Sequence, residues 1–115
     1  MPIDCAFYDC IKLKKVIIPD SVEIIGNYAF GNCSNLSTMV LGKGVITVGD
    51  DVLSGFCDNF EEIFYNGSSE RWSQISIGKS NGTLLRADRY FYSKDKPLDE
   101  GNYWYYDENE NIRIW

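Results

Sequence analysis

The chain contains no histidine. That absence removes Ser-His-Asp and Cys-His nucleophile activation, and with them the commonest metal ligand. Positive charge is also scarce: the net charge of -6 and pI near 4.5 set up a mean field that repels nucleic acid and anionic membrane surfaces. No apolar run exceeds a few residues, Val16-Ile17-Ile18 being typical, so no membrane-inserted segment is expected. There is no Cys-x-x-Cys pair to start a zinc site. Gly42-Lys43-Gly44 has neither the spacing nor the following Ser or Thr of a phosphate-binding loop. With 44% hydrophobic and 24% charged residues over 115 positions, what remains is enough for one soluble domain with a real core.

Local acid clusters do not rescue an enzymatic reading. Asp50-Asp51 and Glu61-Glu62 are sequence neighbours, which in a strand face opposite ways, so solvated surface charge is the expectation. Asp107-x-Asn109-x-Asn111 starts like a calcium loop, but Ile112 stands where glycine is required and the chain stops before the closing glutamate. Asn-x-Ser/Thr triplets at Asn32, Asn35, Asn66 and Asn81 are read as turn chemistry. No catalytic residue, metal ligand or cofactor is expected.

What is present is a repeat. Ala6-Phe7-Tyr8-Asp9-Cys10 returns as Ala29-Phe30-Gly31-Asn32-Cys33 and, degraded, as Val52-Leu53-Ser54-Gly55-Phe56-Cys57, with Phe7, Phe30 and Leu53 spaced 23 residues apart. A period of this length predicts a solenoid whose units bury their apolar faces by stacking. Leu13-x-x-Val16-x-Ile18, Leu36-x-x-Met39-x-Leu41 and Phe60-x-x-Ile63-x-Tyr65 form a strand column with period-two burial, in which Val16 and Ile18 point inward and Lys15 and Ile17 outward. A second short apolar piece follows, Val22-x-x-Ile25-Gly26 and Val45-x-x-Val48-Gly49, where the glycines mark a corner that lacks room for a side chain or has positive φ. The Ala-Phe piece after each corner is expected to be one helical turn. Cys10, Cys33 and Cys57 share a column, which predicts a ladder of small buried thiols; Cys5 stands outside it, and a Cys5-Cys10 bridge stays open.

These residues closely resemble the BspA-like leucine-rich repeats of bacterial surface proteins, whose unit reads Ala-Phe-x-x-Cys-x-x-Leu-x-x-Ile-x-Ile-Pro-x-x-Val-x-x-Ile-Gly. The first unit matches through Ala6, Phe7, Cys10, Leu13, Val16, Ile18, Pro19, Val22, Ile25 and Gly26; the second departs at Gly42 and the third at Val52 and Leu53. The resemblance covers roughly residues 5-65. It implies an α/β leucine-rich-repeat solenoid with a parallel sheet and short helical turns, and a role in adhesion at a host or cell surface. Met1-Pro2-Ile3-Asp4 lacks the features of a secretory signal, which taken literally makes the chain cytoplasmic. Yet the first unit starts without a cap, so the expectation is a C-terminal piece of a longer extracellular or cell-surface protein.

From Tyr65 the motif stops, and residues 66-115 are expected to cap a solenoid formed by 1-65. Glu70-Arg71-Trp72-Ser73-Gln74-Ile75 reads as a short helix, and Leu84, Leu85 and Ala87 as a second helical stretch. Three strand-like segments, 89-94, 102-106 and 112-115, predict an antiparallel meander over the open end of the sheet. This tail also looks like the segment that closes many BspA-like proteins, through Tyr65-Asn66-Gly67, Trp72-x-x-Ile75, Arg89-Tyr90-Phe91-Tyr92-Ser93 and Gly101-Asn102-Tyr103-Trp104.

Two surfaces are candidates for binding. The outward strand column Ile17, Val40 and Phe64, flanked by Lys15, Thr38 and Glu62, makes an apolar stripe suited to a protein partner. On this reading Val40→Asp abolishes capture of the partner without unfolding the chain. The alternative is a carbohydrate platform of Tyr92, Trp104 and Tyr106.

Overall fold

The computed structural model describes residues 10–53 and 57–115. The chain winds through short strands that alternate between two sheets. One sheet takes β1 (Lys15–Ile18), β3 (Thr38–Leu41), β5 (Glu62–Tyr65), β7 (Asp88–Tyr92), β8 (Tyr103–Tyr106) and β9 (Ile112–Ile114), in that spatial order. The smaller sheet takes β2 (Ile24–Ile25), β4 (Thr47–Val48) and β6 (Ser76–Ile77). Lys15 pairs with Thr38 and Thr38 with Glu62, all in parallel, so a step of 23 residues becomes one of 24 where the third unit carries its extra residue.

Period-two burial makes the strands. Val16, Ile18, Met39, Leu41, Ile63 and Tyr65 face one interior shared by all the coils, joined there by Ile25 and Val48 from the second sheet and by Phe30, Cys33, Leu36, Leu53 and Cys57 from the turns between. Phe30 and Leu53 thus lie in the predicted common core; Phe7 and Cys5 lie outside the described residues. Cys33 and Cys57 are buried thiols whose sulfurs donate to the carbonyls of Gly31 and Phe30, and the Cys10 thiol is half-buried. Burial pushes the Cys57 thiol above its ordinary pKa, as expected of an inert core cysteine.

The corners follow from close approach. A Cβ on Gly49 would lie 2.8 Å from the Asn27 nitrogen and 2.9 Å from the Gly26 carbonyl carbon, so stacking coils leave no space there. Positive φ falls two residues after each corner glycine instead, at Tyr28 (58°), Asp51 (51°) and Ser80 (61°), where backbone N–H groups reach the next coil: Tyr28 to Asp50 and Asp51 to Lys79. The Ala-Phe piece of the second unit is a run of tight turns rather than an α-helix, held by i→i+3 bonds from Gly31 to Tyr28 and Cys33 to Phe30.

Parallel pairing does not stop at Tyr65. β6 pairs with β4 and β7 with β5, so both sheets cross the boundary where the motif ends. In this last coil α1 (Ser69–Trp72) is inserted as an excursion, capped by the Ser68 hydroxyl, which accepts from the Arg71 N–H. Its Trp72 and the following Ile75 pack on the core. Asn81 occupies the place that Ala29 and Val52 hold in earlier coils. Buried to 3% exposure, it accepts from the Val52 N–H and donates to the carbonyls of Gly49 and Gly78, ending the ladder with a side-chain amide. In α2 (Gly82–Arg86), Leu84 is buried and Leu85 is exposed.

The expected antiparallel meander is reduced to one hairpin. β7 runs parallel to β5 and β8 parallel to β7; only β8 and β9 are antiparallel. The reason is the connection between β7 and β8, residues 93–102, which is too long for a tight turn and returns the chain to the start of the next strand. The Asp107 turn that closes the hairpin is made by its carboxylate, which accepts from the N–H groups of Asn109 and Asn111.

Candidate functional site

Alternation places Lys15 and Ile17, Thr38 and Val40, and Glu62 and Phe64 on the outer face of the main sheet, in register across three strands. Their exposures diverge sharply. Ile17 is 62% exposed, but Val40 is 4% and Phe64 5%. The apolar stripe expected to be open is therefore closed over two-thirds of its length, because the sheet curls and its last strands fold back over β3 and β5. Trp104, fully buried, forms a second core with Val40 and Phe64, joined at its margin by Tyr90 and Ile112. Phe64 stacks on Tyr90 at 5.2 Å and meets Trp104 edge-on at 5.8 Å, while the Trp104 indole N–H donates to the Tyr65 carbonyl at 2.8 Å. Val40→Asp would thus put a carboxylate inside a packed cluster, and loss of capture without unfolding is no longer its expected result.

The same packing removes the centre of the carbohydrate platform. Tyr92 and Tyr106 keep some exposure, but each presents its ring edge-on to Trp104, at 5.2 and 4.9 Å, and a buried indole offers no face to a sugar. Burial pushes the Tyr106 hydroxyl above its ordinary pKa, reinforced by the Asp20 carboxylate nearby.

What stays open is the margin of the outer face. Lys15, Thr38, Glu62 and Phe64 line a groove of about 560 Å³ together with Ile112, Arg113 and Ile114 of β9. Glu62 is held in place by the Thr38 hydroxyl, which donates to it at 3.1 Å. Arg113 is tied to Asp107 at 2.9 Å, whereas Lys15 forms no ion pair among the described residues. A smaller recess of about 300 Å³ adjoins on the far side of Ile17, lined also by Pro19, Asp20, Val40 and Tyr106. The structure so gathers four of the six protein-binding candidates in one groove and sets Ile17 beside it. Sequence reasoning misses the β9 wall: alternation implies that Ile112 and Ile114 share a face, but nothing local says which surface that face meets.

No three acidic or cysteine side chains among the described residues are grouped to hold a metal ion. Asp50 accepts from the Lys79 N–H as part of the corner ladder, and Asp107 is engaged by its own turn and by Arg113. Asn35, Asn66 and Asn81 all spend their side chains on internal hydrogen bonds. No described helix is long and apolar enough to cross a membrane.

Stacked parallel coils with an apolar Phe, Cys and Leu interior are the arrangement that a family comparison can decide. The family model described as a BspA type leucine rich repeat region (6 copies) matches residues 3–81. The chain belongs to the BspA-type leucine-rich repeat family. The match passes residue 65 and takes in β6 and Asn81, in line with the continued parallel pairing. No curated protein and no solved structure matches the chain. The family is in general a non-enzymatic binding scaffold and suggests a protein-interaction or surface module.

Proposed function

We propose that this BspA-type chain is a non-catalytic protein-interaction module of a bacterial cell-surface protein, serving adhesion to a host or neighbouring-cell protein. Contact runs along the outer face of the main sheet, confined to the groove between the β1 margin and β9. The observation that carries this reading is the convergence of Lys15, Thr38, Glu62 and Phe64 with Ile112, Arg113 and Ile114 on one open groove, beside an Ile17 that is 62% exposed. An exposed apolar side chain bordered by polar groups is the usual make-up of a contact surface. Within residues 66–115, the last coil and the β8–β9 hairpin act in this proposal as a cap, and β9 also shapes the groove.

The test is a pull-down from host surface and extracellular-matrix protein with the whole chain, comparing Ile17→Asp with Ile46→Asp. Both isoleucines are more than half exposed, so neither change should disturb the fold, and Ile46 adjoins the other sheet. Capture should fall at least tenfold with Ile17→Asp and persist with Ile46→Asp. Equal capture by both would remove the outer face as the contact surface.

A further inference from the structure

The groove has one wall that can do more than pack. Trp115 N–H bonds to the Tyr103 carbonyl and Asp107 N–H to the Asn111 carbonyl, at 3.0 and 2.9 Å. In an antiparallel pair with Arg113 opposite Tyr105, residues 111, 113 and 115 therefore turn their backbone groups toward β8. The N–H and C=O groups of Ile112 and Ile114 turn the other way, to the edge that carries no strand among the described residues. All three β9 residues line the groove and no β8 residue does, so this unpaired edge runs along it.

Resting on the reading of the chain as a protein-binding module, we infer that the groove takes up an extended peptide segment of a partner as an added strand on β9, with acidic residues toward Lys15 and apolar residues at alternate positions. Three observations select this occupant. The edge supplies donors and acceptors in strand register, which main-chain pairing satisfies regardless of sequence. The walls on either side supply what alternate side chains need: Phe64, Ile112 and Ile114 are apolar, and Lys15 is a cation with no ion pair among the described residues, close to Arg113 and opposed only by a Glu62 that already holds Thr38. Lys15 of β1 and Thr38 of β3 also line the groove facing this edge, so an added strand meets the outer face as well as β9. A self-pair through β9 centred on its middle residue would set Arg113 against Arg113.

A library of linear peptides panned on the whole chain should enrich sequences with apolar residues at alternate positions and an acidic residue at one end. The enriched sequence is then made as a synthetic peptide in two N-methylated forms, one methylated at odd residues and one at even. One form should bind at least tenfold more weakly and the other should bind as the parent does, because only alternate N–H groups face β9. Lys15→Glu should weaken the parent peptide several-fold at low salt. Failure of the library to enrich any such sequence, or equal binding of both methylated forms, overturns strand addition. Ile17-dependent capture of a folded protein alongside either of those results would keep the protein-interaction reading while this inference fails.

Discussion

On the inner face of β3 and β5, Met39, Leu41, Ile63 and Tyr65 are buried by the coils above and below and by the second sheet. On the outer face of the same two strands, Val40 and Phe64 are buried by Trp104, more than 35 residues further along. The inner burial is written in a repeating apolar pattern, each unit supplying what its neighbour needs. The outer burial is aromatic, used once, and depends on a hairpin that crosses the sheet. The two faces therefore differ in how they fail: loss of an inner residue strikes the common core, while loss of an outer one uncovers a surface that β1 already shows in its open form at Ile17.

The sharpest way to break this comparison is Trp104→Ala. Emptying the centre of the outer cluster and its hydrogen bond to Tyr65 should cost about 3–5 kcal/mol, read from chemical denaturation. Hydrogen exchange should show the β8–β9 amides losing protection before those of β1 and β3. Simultaneous loss throughout would mean the two faces are not separate. Next comes a pair in one column: Val40→Asp should cost about 2–4 kcal/mol through lost packing and a buried carboxyl, and Ile17→Asp should stay within about 0.5 kcal/mol. Equal costs would contradict the covered stripe. On the inner side, Asn81→Ala should cost about 1–3 kcal/mol by leaving the Val52 N–H and two glycine carbonyls unpaired, measured by the denaturation midpoint.

The smallest effect is one of pH. Hydrogen bonds from the Asn111 backbone first, and then from Arg113, hold the Asp107 carboxyl below the usual carboxylate range. A depressed folded-state pKa means that its contribution is fully present above the unfolded value of about 3.9 and is lost as pH falls through the lower folded value. Acidification below that range should loosen the hairpin turn, seen as shifts of the Asn109 and Asn111 amides, and Asp107→Asn should abolish that pH response.

Much of the inner architecture is legible from residues alone. The spacing of Phe30 and Leu53, the strand column and the cysteine column each depend on local pattern, and the shared interior follows from their repetition. The last coil is not legible in that way: α1 interrupts its spacing, and Asn81 stands where Ala29 and Val52 would predict another apolar residue. Its amide makes sense only beside the carbonyls of Gly49 and Gly78. For the candidate site, alternation correctly assigned Val40 and Phe64 to the outer face, but facing outward is a statement about one sheet, and exposure depends on everything that packs against it. Trp104 could be recognised as a strand residue; its contact with Phe64 depends on the parallel placing of β8, which a long connection decides.

The most direct test is nuclear Overhauser contact between the Trp104 indole and the side chains of Val40 and Phe64 in the whole chain. Strong contacts to both, with none from Trp104 to Ile17, are the predicted result. A Trp104 ring close to neither, with the Val40 methyls open to a soluble paramagnetic probe, would contradict the account.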